Sequence, residues 1–147
     1  MRYKAMKTKH GTTNYKALRP FIAAVNNNGG WLHFTSGGYM DLVIENLGYS
    51  DYRGKPVYSI AHYGEQYGDL MADPEVTIAI DDEAGTIRPL SYRNDYMGKY
   101  DEIFKVKNGK NVYSPRLLTA IDEFLYFWRK NIEDQGFSPS VYKNPHA

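Results

Sequence analysis

An α+β, two-layer domain is the fold class this sequence predicts, with an antiparallel meander of about five to six strands under an N-terminal and a long C-terminal helix. Three observations point there. Apolar residues recur at helical spacing near both ends of the chain, and between residues 31 and 106 the period drops to two. The strand-like segments also follow one another too closely for crossover helices, which leaves antiparallel pairing.

The first helix is expected from about Tyr15 to Val25, because Leu18, Phe21, Ile22 and Val25 fall at i, i+3, i+4 and i+7. Thr12, Thr13 or Asn14 could cap its start. Pro20 implies either a late start near Arg19 or a kink, since proline removes an amide donor. Asn26-Asn27-Asn28-Gly29-Gly30 then ends it, because Asn and Gly tolerate the left-handed backbone of a helix terminus.

Trp31 to Thr35 reads as a strand, and Met40, Leu42 and Ile44 alternate with Asp41, Val43 and Glu45 in a second. Gly48 to Lys55 is a polar loop. Val57 to about Glu65 is a third strand, with Tyr58, Ile60 and His62 on one face. Val76 to Ile80 and Thr86 to Tyr92 flank an acidic turn at Asp81-Asp82-Glu83-Ala84-Gly85. Asp101 to Val106 is a shorter sixth strand ending at the Asn108-Gly109 turn. The second helix has the strongest signals: Ser114 to cap, Pro115 for the first turn, and Gly136 past the end. Between them Leu117, Leu118, Ile121, Phe124, Leu125, Trp128 and Ile132 form one apolar stripe.

The chain has 147 residues, enough for one domain, expected at residues 12–137, with loose tails at 1–11 and 138–147. A folded chain of this size exposes about 7,700 Å² against about 24,500 Å² unfolded, so a self-sufficient core is possible. Eighteen Lys and Arg against 17 Asp and Glu exclude a strongly basic nucleic-acid arm and an acidic nucleic-acid mimic at the level of total charge. With no cysteine there is no disulfide framework and no thiolate nucleophile. Neither an apolar signal core nor a run of about 20 apolar residues is present, so a cytoplasmic address is expected.

Familiar catalytic motifs are missing. Gly48 to Lys55 has the ring of a phosphate loop, but one residue too many separates its glycines and Pro56 stands where a Ser or Thr would hold magnesium. Of four histidines, His10 and His146 fall in the expected tails, leaving His33 and His62. The densest polar run is Ala61 to Glu75, and its His62, Glu65, Asp69 and Asp73 are the candidate catalytic group, suited to acid–base work or to gathering a divalent metal. A purely structural account competes, in which Asp69 and Asp73 brace turns. No metal site and no cofactor is assigned.

The other notable feature is 14 tyrosines, most of them between Tyr39 and Tyr100. Tyrosine offers a large amphipathic face at low entropic cost, which favours recognition surfaces. Tyr63, Tyr67, Arg88, Tyr92, Arg93, Asp95 and Tyr96 are therefore the candidate binding residues, for a protein partner first. Stacking tyrosines with interleaved Arg53, Lys55, Arg88, Arg93 and Lys99 could serve single-stranded nucleic acid, but Asp51, Asp95 and Asp101 weaken that reading.

Four phrases carry a further resemblance: Tyr39 to Glu45, Ser59 to Glu75, Arg88 to Asp95, and Phe127 to Phe137. They resemble an uncharacterised family of domains of unknown function, encoded on plasmids, conjugative elements and phages. The likeness spans about Asn14 to Phe137, and its most specific part is the middle phrase. It implies a mobile-element accessory protein; with the tyrosine-rich sheet and loops, the expectation is a non-catalytic protein that binds a macromolecular partner, with interference in host defence as one purpose. It transfers no catalytic residue.

Overall fold

The computed structural model describes residues 8–145. It is an α+β fold with two helices and a seven-stranded antiparallel sheet, joined by a separate two-stranded hairpin. The strands are β1 (Trp31–Phe34), β2 (Leu42–Ser50), β3 (Pro56–Gln66), β4 (Asp69–Asp81), β5 (Thr86–Asn94) and β6 (Lys99–Glu102), then β7 (Phe104–Lys107), β8 (Lys110–Tyr113) and β9 (Tyr142–Lys143). Helices α1 (Gly11–Asn27) and α2 (Pro115–Asp134) flank this run. The sheet order is β6-β5-β4-β3-β2-β1-β9, a meander closed at one edge by the last short strand.

Both helices cover the same face. Leu18, Phe21, Ile22 and Val25 of α1 meet Leu118, Ile121, Leu125, Trp128 and Ile132 of α2 over Leu32, Ile44, Ile60, Val76 and Ile78. Phe124 and Tyr92 close the margin of this core, ring against ring at 5.1 Å. Ser114 caps α2 as expected, its Oγ accepting from the Leu117 amide at 3.2 Å, with Pro115 in the first turn. Gly136 follows at φ 87°, a conformation that suits glycine. No helix among the described residues is long and apolar enough to cross a membrane.

Several boundaries move. Helix α1 starts four residues early, at Gly11, and runs through Pro20, which lies exposed. Its cap position is His10, with no side-chain cap bond. The His10 amide instead donates to Asp122 Oδ2 of α2 at 3.0 Å, and its ring stacks on Tyr126 at 4.0 Å. Residues 8–11 of the expected N-terminal tail are therefore packed, while residues 1–7 and His146 lie outside the described residues. At the other end Tyr142 and Lys143 pair with Phe34 and His33, so part of the expected C-terminal tail is a strand.

The strand count is higher than expected for a physical reason. Residues 66–75 were expected as a loop; they are the end of a long β3–β4 hairpin, turning at Tyr67 and Gly68 with φ 52° and 84°. Positive φ at both central residues is the turn geometry that matches strand twist. This end of the hairpin is largely solvated, so it carries no apolar alternation to read. The expected sixth strand is two, β6 and β7, separated by the buried Ile103.

Candidate functional site

The opposite face of the sheet has no helix on it. Pairing register builds that face from two rows of side chains. One runs Trp31, Glu45, Ser59, Thr77, Ser91, Glu102 across six strands. The next runs His33, Val43, Ala61, Glu75, Arg93, Tyr100. Small residues therefore occupy the middle strands, and larger aromatic and charged ones stand at both sides. The result is a trough floored by Ser59, Ala61, Thr77 and Ser91.

Glu75 sits at its centre. Its Oε2 accepts from Ser59 Oγ at 3.1 Å and from the Tyr63 hydroxyl at 3.0 Å. Burial, with the Glu75 charge beside it, pushes the Tyr63 phenol up to about 12. Thr77 and Ser91 share a 2.5 Å hydrogen bond across the floor. On the far side the Tyr100 hydroxyl donates to Glu102 Oε1 at 2.7 Å, and that bond leads the causes that raise its phenol to about 12. Both phenols thus stay neutral and donate to the carboxylates beside them.

Depressions lie at both sides of this face. One, of about 470 Å³, opens between Trp31, Met40, Asp41, Glu45, Tyr63 and Leu70, with Val43 and His33 in its walls. Another, of about 300 Å³, lies among Tyr49, Tyr52, Thr77, Ser91, Tyr100 and Phe104. Volumes of this order belong to ligand sites. The exposed carboxylate of Glu45 and the half-exposed Asp41 border the larger one, and among the described residues neither Lys nor Arg lines it.

The sequence-derived candidates separate on this frame. Tyr63, Arg93 and Arg88 belong to the open face. Arg93 is held by Asp95 through Nε at 2.7 Å and Nη2 at 3.1 Å, and Asp95 also accepts from the Ala72 amide at 2.8 Å. The Arg93 guanidinium, with the Ala72 amide, holds the Asp95 carboxyl below its usual range. Arg88 is buried at 7% exposure, donates through Nη1 to the Tyr52 hydroxyl, and lies in register with Ala79 and Val57. Tyr92 belongs to the helix-covered side. Tyr67 is 97% exposed at the hairpin tip, and the Tyr96 hydroxyl lies against Gly64.

The catalytic candidates do not gather. His62 points into the helix side, with Trp128 at 5.6 Å and Phe137 at 6.0 Å from its ring, and its Nδ1 bonds the Asp41 carbonyl at 3.0 Å. Glu65 and Asp69 are exposed on the outer hairpin. Asp73 Oδ1 accepts from Asn94 Nδ2 at 3.3 Å. Among the described residues, no three His, Cys, Asp or Glu side chains are arranged to hold a metal ion. Of the stretch Gly48 to Lys55, expected as a loop, residues 48–50 are the end of β2 and residues 51–55 a turn, in which Asp51 Oδ1 accepts from the amides of Arg53 and Lys55, both at 2.9 Å.

Sequence reasoning missed Ser59, Thr77, Ser91, Tyr100 and Glu102 as one site. Each reads singly as an outward strand residue; only the register places them in one row. Residues 13–138 match a family model described as Domain of unknown function (DUF6908). No curated protein and no solved structure matches the chain.

Proposed function

The chain belongs to the DUF6908 family, a domain of unknown function, and we propose that it acts without catalysis, by binding a protein partner on the open face of its sheet. The observation that supports this is the asymmetry of the sheet. A single sheet needs one covered face for its core, yet here the uncovered face also carries aromatic rings, a trough of small residues and oriented hydroxyl–carboxylate pairs. Exposed Tyr49, at 58%, and Tyr100, at 59%, supply contact area at the trough's edge. Glu45, Glu75 and Glu102 on the same face disfavour a phosphate backbone as the partner. Its resemblance to mobile-element proteins adds that the partner belongs to a host cell, where binding would serve interference with host defence.

The test is capture of the partner from host lysate by wild-type protein and two variants, followed by identification of the captured chain. Tyr49→Ala/Tyr100→Ala should lose a partner that Phe127→Ala, on the exposed side of α2, retains. Equal capture by all three would overturn the reading.

A further inference from the structure

We infer that the 470 Å³ cleft between Trp31 and Leu70 receives an arginine side chain of the protein partner, flanked there by apolar residues. This rests on the partner-binding reading and names what the partner must present. Three features of the cleft carry it.

The first is charge. Asp41 and Glu45 stand in the wall, and among the described residues no Lys or Arg lines the cleft to neutralise them. Asp41 has His33 Nδ1 at 3.4 Å as its neighbour, whereas Glu45 has no cationic partner within 4 Å among the described residues. A cation therefore finds one carboxylate without a competing partner.

The second is the kind of cation. Trp31 and Tyr63 line the same space, and Tyr63 is fixed by its hydrogen bond to Glu75 at 3.0 Å. Guanidinium is planar, weakly hydrated and able to stack on such rings while pairing with a carboxylate. A compact, strongly hydrated ammonium gains less from the aromatic walls.

The third is the rim. Met40 at 44% exposure and Leu70 at 68% face each other from the β1–β2 loop and the outer β3–β4 hairpin. Tyr39 at 51% and Tyr67 at 97% are exposed on the same loop and hairpin. Large apolar side chains this exposed, bordering an acidic cleft, fit a partner segment that is itself apolar on either side of its cation.

The experiment follows Trp31 fluorescence while Ac-Leu-Arg-Leu-NH2 is added, with Trp31→Phe identifying the signal. The peptide with citrulline in place of arginine keeps the shape and removes the charge. We expect it to bind about tenfold or more weakly, the scale of a lost charge-assisted hydrogen bond. Glu45→Gln should weaken the arginine peptide by a similar factor, while Glu83→Gln in the β4–β5 turn leaves it unchanged. Equal binding of the citrulline peptide, or none of the arginine peptide, would overturn the inference. Butylguanidinium binding as tightly as the peptide would overturn the protein source and point to a free small cation. These outcomes are separable from the wider reading: if partner capture still depends on Tyr49 and Tyr100 while the peptide fails, only the arginine assignment falls.

Discussion

The two faces of the seven-stranded sheet use the same strands for different ends. On the helix side, alternate residues such as Leu32, Ile44, Ile60 and Val76 are buried completely, and their packing against α1 and α2 supplies the stability. On the open side, the middle strands carry Ser59, Ala61, Glu75 and Thr77, tied together by hydrogen bonds from Ser59 and Tyr63 to Glu75 and by the Thr77–Ser91 bond, while Trp31, His33, Val43 and Glu45 stand to one side. A face built only for solubility needs charge and little order. This one has order, with its hydroxyls and carboxylates held in fixed pairs.

The comparison breaks if truncation costs the same on both sides. Leu125→Ala, at a position with no exposure, should lose about 3 kcal/mol of unfolding free energy in urea titrations. Tyr100→Ala on the open face should stay within about 0.5 kcal/mol, the ordinary range of surface substitutions. Next in size, Ser114→Ala removes the cap of α2 and should cost about 1 kcal/mol, seen as a fall of a few degrees in Tm.

Two pH experiments sharpen the contrast. Both Tyr63 and Tyr100 sit at about 12, above their unfolded value near 10. A raised phenol contributes stability that is complete below pH 10 and is lost as pH rises through 12. Spectrophotometric titration should show late-ionising tyrosines, and Glu102→Gln should return Tyr100 toward the ordinary range. Asp122, beneath α1, is 2% exposed; burial raises its carboxyl, against the opposing His10 amide bond. The Thr8 side chain, like the His10 amide, opposes that rise. The raised value means that the folded state is favoured most when Asp122 is protonated, and loses stability as pH climbs through that value. Asp122→Asn should therefore raise the urea midpoint at pH 7 more than at pH 3. Smallest of all, Gly64→Ala meets only the end of the Tyr96 side chain, which can swing away, so its cost should stay below about 0.5 kcal/mol.

How far the fold was legible depended on whether a segment is amphipathic. Leu18 to Val25 and Leu117 to Ile132 announced their helices because each needs a single apolar stripe against the sheet. Strands that cross the core announced themselves through Met40, Leu42 and Ile44 or Val76, Ile78 and Ile80. The outer hairpin around Tyr67 and the two-residue β9 bury little, and local pattern carries no trace of a pairing made at long range. The site suffered more from the same cause. His62, Glu65, Asp69 and Asp73 drew attention by density along the chain, yet alternate strand residues point to opposite faces, so neighbours in sequence part company. Tyr63 and Arg93 were legible as open-face residues; their companions Thr77, Ser91 and Glu102 come from three strands and meet only through register.

One irregularity in that register has a wider reach. Between Ala61 and Tyr63 the β3–β4 pairing slips, from Ala61 opposite Glu75 to Tyr63 opposite Ala72. Residues beyond the slip pair in a register one step away from the ladder that carries Ile60 and Val76. Insertions or deletions of residue pairs near Tyr67 can lengthen or shorten the arm bearing Leu70 without shifting any core side chain. Such a shift of register lets the outer arm change length while the pairing of Ile60 with Val76 stays as it is.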